Sequence, residues 1–295
     1  MSRLFARPMS YLSANFFLMR GLVVVLVLPL VFFGCSPNNV TVDDSLGRYF
    51  DSAGVKGAFG LFDNGQGRFT IYNLPRYSDS FYSPGATFDI FQSLIAIQTG
   101  VKKDDSAVSD TPIPAAAGPG LAADFGREFR DTGSMNRLAF VLLGHDIGRD
   151  TLKKWIDSLQ YGNRKMGDSA ALKMGDSAAF WQDGTLRINC DEQLGLLKKL
   201  YFNQLPFFAR TQEIVRRMMP AESNSAYRLC YKTAQVAGRD GHWIGWAMGW
   251  VEENKHPYFF VVNLESADTT KDLRRTGLEI AKKILQQEGF FEGKK

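Results

Sequence analysis

Histidine and cysteine are the scarcest chemistry-bearing residues in this chain, with three of each in 295 residues. His145, His242 and His256 are scattered and no metal-ligand spacing connects them, so no metal site is read. No cofactor motif is present either. Gly65-Gln66-Gly67 joins two predicted strands and lacks the lysine-serine partner of a phosphate loop. A large excess of one charge is also missing. The formal charge is +4, and removing Arg3, Arg7 and Arg20 of the first 34 residues lowers it to +1, which leaves no nucleic-acid footprint. Long apolar runs are missing except for Gly21 to Phe33, too short for a comfortable membrane span. What remains is an ordinary globular composition, 45% hydrophobic, 22% charged and 13% aromatic, long enough for one large domain or two small ones.

The first 34 residues read as a signal peptide. The three arginines precede the apolar run, and no acidic residue occurs before Cys35. Phe32-Phe33-Gly34-Cys35, followed by Ser36-Pro37-Asn38-Asn39, resembles a bacterial lipobox, in which the cysteine is lipidated and becomes the mature N-terminus. That resemblance implies an exported envelope protein held to a membrane through Cys35. Cys190 and Cys230 are then the remaining thiols, either bridged or buried and free.

Residues 35–52 read as a polar tether and 53–295 as the folded domain. Lys56 to Tyr72 is a predicted β-hairpin, with Asn64-Gly65 and a second glycine supplying the positive φ that its turn requires. Residues 101–133 are irregular. Helices are expected over Met135 to Leu143, Asp150 to Leu159 and about Asp191 to Asn203, the last ended by Pro206. Lys165-Met166-Gly167-Asp168-Ser169-Ala170-Ala171 recurs from Lys173 to Ala179, a local duplication that lengthens one surface loop. Strands are expected over Tyr227 to Thr233, His242 to Glu252 and Tyr258 to Leu264. The second alternates Ile244, Trp246, Met248 and Trp250, the signature of a half-buried strand. A helix near Thr270 to Gln287 closes the chain. Strands at both ends with helices between give an α+β class, an antiparallel sheet whose first and last elements meet.

The centre of this organisation is Ser83-Pro84-Gly85-Ala86-Thr87-Phe88-Asp89-Ile90, running on as a one-sided helix to Gly100. It resembles the nucleophile helix of class D (oxacillinase-type) β-lactamases, which reads Ser-Pro-x-Ser-Thr-Phe-Lys-Ile and ends Glu-Thr-Gly. Leu186-Arg187-Ile188, Leu200 to Phe207 and Gly249-Trp250-Val251-Glu252 also resemble that family, and the likeness runs from about Gly57 to Phe291. The resemblance implies a five- to seven-stranded sheet flanked by helices, with a helical insertion over about 101–206.

In that family the serine attacks the lactam and a carboxylated lysine three residues on removes its proton. Ala86 stands at the serine position and Asp89 at the lysine position. Neither Ser83 nor Thr87 is placed to substitute. Asp89 is expected to pair with Lys232 and fill the space of the missing lysine. A less favoured alternative makes Asp89 a general base for direct water attack. The Lys-Thr-Gly strand motif appears as Lys232-Thr233-Ala234, where alanine adds a methyl and Tyr231 crowds the space. The Ser-x-Val motif falls one residue from Ser134. Tyr161-Gly162-Asn163 is intact. Trp181 matches the tryptophan that steadies the carbamate and also reads as plain core. Arg274 matches the arginine that anchors a β-lactam carboxylate.

These correspondences imply a catalytically silent envelope lipoprotein that binds a β-lactam, a peptidoglycan-derived ligand or a protein partner. The groove would be lined by Lys232, Thr233, Ala234, Arg274, Trp181, Ser134, Tyr161 and Asn163. The alternative is an active β-lactam hydrolase or peptidase using rearranged residues.

Overall fold

The computed structural model describes residues 39–107, 124–130, 134–167, 179–238 and 240–295, with no side-chain description at 134–136. The predicted leader, Cys35 and most of the duplicated segment lie outside the described residues. The chain divides into Met1–Asn39 and Val40–Lys295, and the second unit carries the fold. Residues 40–52 are therefore not a tether. Val40–Val42 forms strand β1, Asp44–Leu46 a single 3-10 turn, and Gly47–Ala53 helix α1. Leu46 and Phe50 are fully buried, because the segment carries its own apolar anchors into the core.

Seven strands make one sheet in the order β1-β3-β2-β7-β6-β5-β4. They are β1, β2 (Lys56–Asp63), β3 (Arg68–Tyr72), β4 (Ala221–Ser223), β5 (Arg228–Ala237), β6 (Trp243–Glu253) and β7 (His256–Ser266). All neighbours are antiparallel except β1 with β3. The predicted N-terminal hairpin meets the last strand as the β2–β7 pair at the middle of the sheet, with Phe59 opposite Val262, while the first strand, β1, lies at the edge. The β2–β3 hairpin turn is closed by the Asp63 carboxylate, which accepts from the N–H of Gly65 at 2.8 Å and of Gln66 at 3.0 Å. Asn64 and Gly65 do not supply positive φ there; Gly67 does.

Helices cover both faces. After α1 come α2 (Leu74–Asp79), α3 (Asp89–Gln98), α4 (Phe125–Arg130), α5 (Ser134–Ile147), α6 (Arg149–Leu159), α7 (Cys190–Tyr201), α8 (Ala209–Met218) and α9 (Leu273–Gln287). The helical region thus extends past residue 206 through α8. Helix α7 begins at a reciprocal cap: Asn189 accepts from the Glu192 N–H at 2.8 Å, and Glu192 reaches back to the Asn189 N–H.

Strand β6 is buried on both faces rather than half-buried. Ile244, Trp246, Met248 and Trp250 join the core beneath α3 and α7. Ala247 and Val251 join the opposite core with Leu273, Ile280 and Ile284 of α9. Cys190 and Cys230 are both buried free thiols, so the bridged alternative does not hold. Burial pushes the Cys190 thiol well above its ordinary range and the Cys230 thiol up to about 11. No helix among the described residues is long and apolar enough to cross a membrane.

Candidate functional site

The segment that carries Ala86 enters its helix through a short 3-10 turn, Gly85–Phe88, before α3 begins at Asp89. The turn is pinned from outside. The Ser83 hydroxyl and the Gly85 N–H both donate to the Trp181 carbonyl, at 2.7 and 2.9 Å. The Trp246 indole N–H donates to the Ser83 carbonyl at 2.8 Å. Ser83 is therefore a buried strut rather than a helix cap. Thr87 is equally committed: its hydroxyl donates to the Pro84 carbonyl at 2.8 Å and accepts from Gln193 at 2.7 Å. Ser83 and Thr87 are thus both tied down, and neither hydroxyl is free to replace the one missing at the half-buried Ala86.

Asp89 sits at the first position of α3, where a helix N-terminus favours negative charge. Its Oδ2 stands 3.1 Å from the Lys232 Nζ, and each side chain is 2% exposed. This is the pair expected from the sequence. Lys232 also donates to the Phe129 carbonyl at 2.6 Å and lies 4.1 Å from the centroid of the Phe129 ring, with Phe140 at 5.8 Å. The lysine of β5 thus points into a cage closed by α4 and α5, not toward an open groove.

The other expected groove residues are brought to the same neighbourhood only in part. Ala234 is fully buried, and Gly85 packs so closely on β5 that an added Cβ would lie 3.3 Å from Val236 and 3.4 Å from Ala234. Thr233 is also buried, on the opposite face of β5 with its register partner Ala247. Trp181 is fully buried, packing against Phe88 with ring centroids 5.4 Å apart. Its indole N–H has no hydrogen-bond partner among the described residues.

Tyr161 is buried edge-on to Phe88 and Phe91, and that burial holds its phenol well above the ordinary range. Gly162 has φ +52°, and a Cβ there would lie 2.0 Å from the Arg187 carbonyl oxygen. Asn163 donates to the Thr185 carbonyl at 2.9 Å and accepts from the Arg187 N–H at 3.1 Å. The three residues staple two loops together, a structural account of the motif that needs no ligand.

Ser134 opens α5, and its side chain is outside the description. Arg274 lies at the start of α9, its Nε 3.3 Å from Asp272. Sequence reasoning missed Phe129 and Phe140, the aromatic lid of Lys232. Phe129 lies in a stretch read as irregular, and Phe140 in a predicted helix whose facing partner the sequence does not show.

A seven-stranded sheet between two helical layers, with this helix entrance laid against β5, defines a protein of the penicillin-recognising kind. The model of the penicillin binding protein transpeptidase domain matches residues 57–287, and the chain belongs to that family.

Within it, the chain is similar to class D β-lactamases. It is 31% identical to Beta-lactamase OXA-20 of Pseudomonas aeruginosa, over 87% of this chain and 92% of that protein. It is 32% identical to Beta-lactamase OXA-48 of Klebsiella pneumoniae, over 77% of this chain and 80% of that protein. Among solved structures, the class D β-lactamase YbXI from Nostoc aligns with a TM-score of 0.72 at 28% identity, covering 84% of this chain and 99% of that one. The C-terminal domain of the Bacillus licheniformis BlaR penicillin-receptor aligns with a TM-score of 0.72 at 27% identity, covering 88% and 100%.

Proposed function

We propose that this chain is a catalytically silent class D relative, held in the bacterial envelope through a lipid on Cys35. In this reading it binds a β-lactam or peptidoglycan-derived ligand without reacting with it. The carrying observation is the buried Asp89–Lys232 pair. Acyl transfer in this family needs an attacking oxygen and a base one helical turn away. Here a methyl occupies the first position, and the carboxylate at the second is spent on an ammonium. A binding role is in keeping with the likeness to a domain described as a penicillin-receptor.

The competing reading is an active hydrolase in which Asp89 deprotonates a water. Against it stands the burial of Asp89, whose side chain is 2% exposed and lies 3.1 Å from the Lys232 ammonium. A chromogenic cephalosporin separates the two, since silence predicts no turnover above buffer and the alternative predicts steady hydrolysis. A binder also gains stability from a ligand that recognises only its folded state. A rise in melting temperature with a β-lactam or a muropeptide, without turnover, supports the proposal. No rise with either removes the ligand from it.

A further inference from the structure

The ends of β2 and β7, the C-terminus of α1 and the turn before β6 border an open pocket of about 390 Å³. This is within the roughly 300–1,000 Å³ usual for small-ligand sites. It is lined by Asp51, Lys56, His242 and Glu265, together with backbone and small side chains.

The His242 ring is held in one orientation. Its Nδ1 lies 2.8 Å from Glu265 Oε1, and the other carboxylate oxygen of Glu265 accepts from Arg76 at 2.8 Å. Arg76 is in turn held by two bonds to Asn263 Oδ1, at 3.0 and 2.8 Å. Burial raises the Glu265 carboxyl, but the bonds from Arg76 and His242 outweigh it and leave the group below its ordinary range. An ionised carboxylate only accepts, so Nδ1 carries a proton and donates it to Glu265.

Lys271 is spent on the Ala53 and Gly54 carbonyls, at 2.6 and 3.2 Å. Asp51 and Lys56 are exposed and have no ion pair or side-chain hydrogen bond among the described residues. Among the described residues the pocket therefore presents an uncommitted cation, Lys56, and an uncommitted carboxylate, Asp51, beside an oriented imidazole.

We propose that this pocket binds a small zwitterion, an amino acid or a short peptide, with Lys56 taking its carboxylate and Asp51 taking its ammonium beside the Glu265-held His242 ring. Charge-assisted bonds of this kind are the strong ones in such sites. Nothing in the proposal depends on the region around Ala86.

The test is saturation-transfer NMR and calorimetry on the full chain with glycylglycine. N-acetylglycylglycine and glycylglycinamide serve as ligands lacking one charge each. Expected is saturable binding with a Kd of about 10 mM or tighter, about tenfold weaker for each blocked ligand. Asp51→Asn and Lys56→Met should weaken glycylglycine by about the same factor while the thermal melt stays in place, because both positions are exposed. Absence of saturable transfer, or equal affinity across the three ligands or the three proteins, would overturn the proposal.

Discussion

A carboxylate and an ammonium buried together cost desolvation that their attraction only partly returns, and each is costly without the other. That asymmetry governs Asp89 and Lys232. Lys232→Met leaves Asp89 without its ammonium in a closed cage and should cost about 3–5 kcal/mol in urea denaturation. Asp89→Asn should cost less than Lys232→Met, because the Lys232 ammonium left behind keeps its bond to the Phe129 carbonyl and its contact with the Phe129 ring. The double variant Asp89→Leu/Lys232→Met should cost much less than the sum of its single changes, since no charge is left behind. Additive costs would mean that the pair does not act as a unit. Replacing Ala86 by serine restores the attacking oxygen but leaves it without a base, so no acyl adduct should form. Covalent labelling of Ala86→Ser by a penicillin would show that another group deprotonates it.

At the scale of single elements, two local features are sharp enough to test. Gly162→Ala puts a methyl into the Arg187 carbonyl at a left-handed backbone position. It should lose more than about 1 kcal/mol of stability, read by chemical denaturation.

Asp272 caps α9, accepting from the N–H groups of Arg274 and Arg275 at 3.1 and 3.3 Å. Burial raises its carboxyl, but the bonds from Arg275 and Arg274 outweigh it and hold the group below the ordinary 3.8. A depressed carboxyl contributes stability above its unfolded value and loses it as pH falls through the folded one. Asp272→Ala should therefore cost about 1 kcal/mol at neutral pH. The gap to the parent should narrow as the pH drops below 3.8. A gap that stays constant into acid would contradict the cap.

These elements also mark how much was legible beforehand. Caps, the hairpin and the long helices have local signatures and were readable. The six-residue α2 carries too little periodicity to register, and α8, rich in arginine, was hidden behind Pro206. The alternation in β6 was read correctly as a strand, yet period two cannot say what covers the second face. Small Gly245 and Ala247 look like solvent-side positions until α9 is known to lie on them. The Phe129 lid was unreadable for a related reason, since its contact with Lys232 spans 103 residues.

For the whole molecule, the fold begins at Val40 and not at residue 53. Deleting residues 1–39 gives the reference melting temperature for the folded unit that begins at Val40. Deleting 1–53 removes Leu46 and Phe50 from the core and should cost several kcal/mol, about 2–5 for each large apolar side chain lost. Equal melting temperatures for the two truncations would return 40–52 to the status of a tether. The same two-sided sheet keeps Cys190 and Cys230 enclosed and apart, so a thiol reagent should titrate them only on unfolding, and a reductant should not shift the melt.

The family fold and the family chemistry part company at Ala86 and Asp89, and one measurement reads that separation directly. Intact-protein mass spectrometry after prolonged exposure to a penicillin should return the unmodified mass. A stable mass increment equal to one opened penicillin, traced by peptide mapping to a residue beside Ala86, would contradict the account.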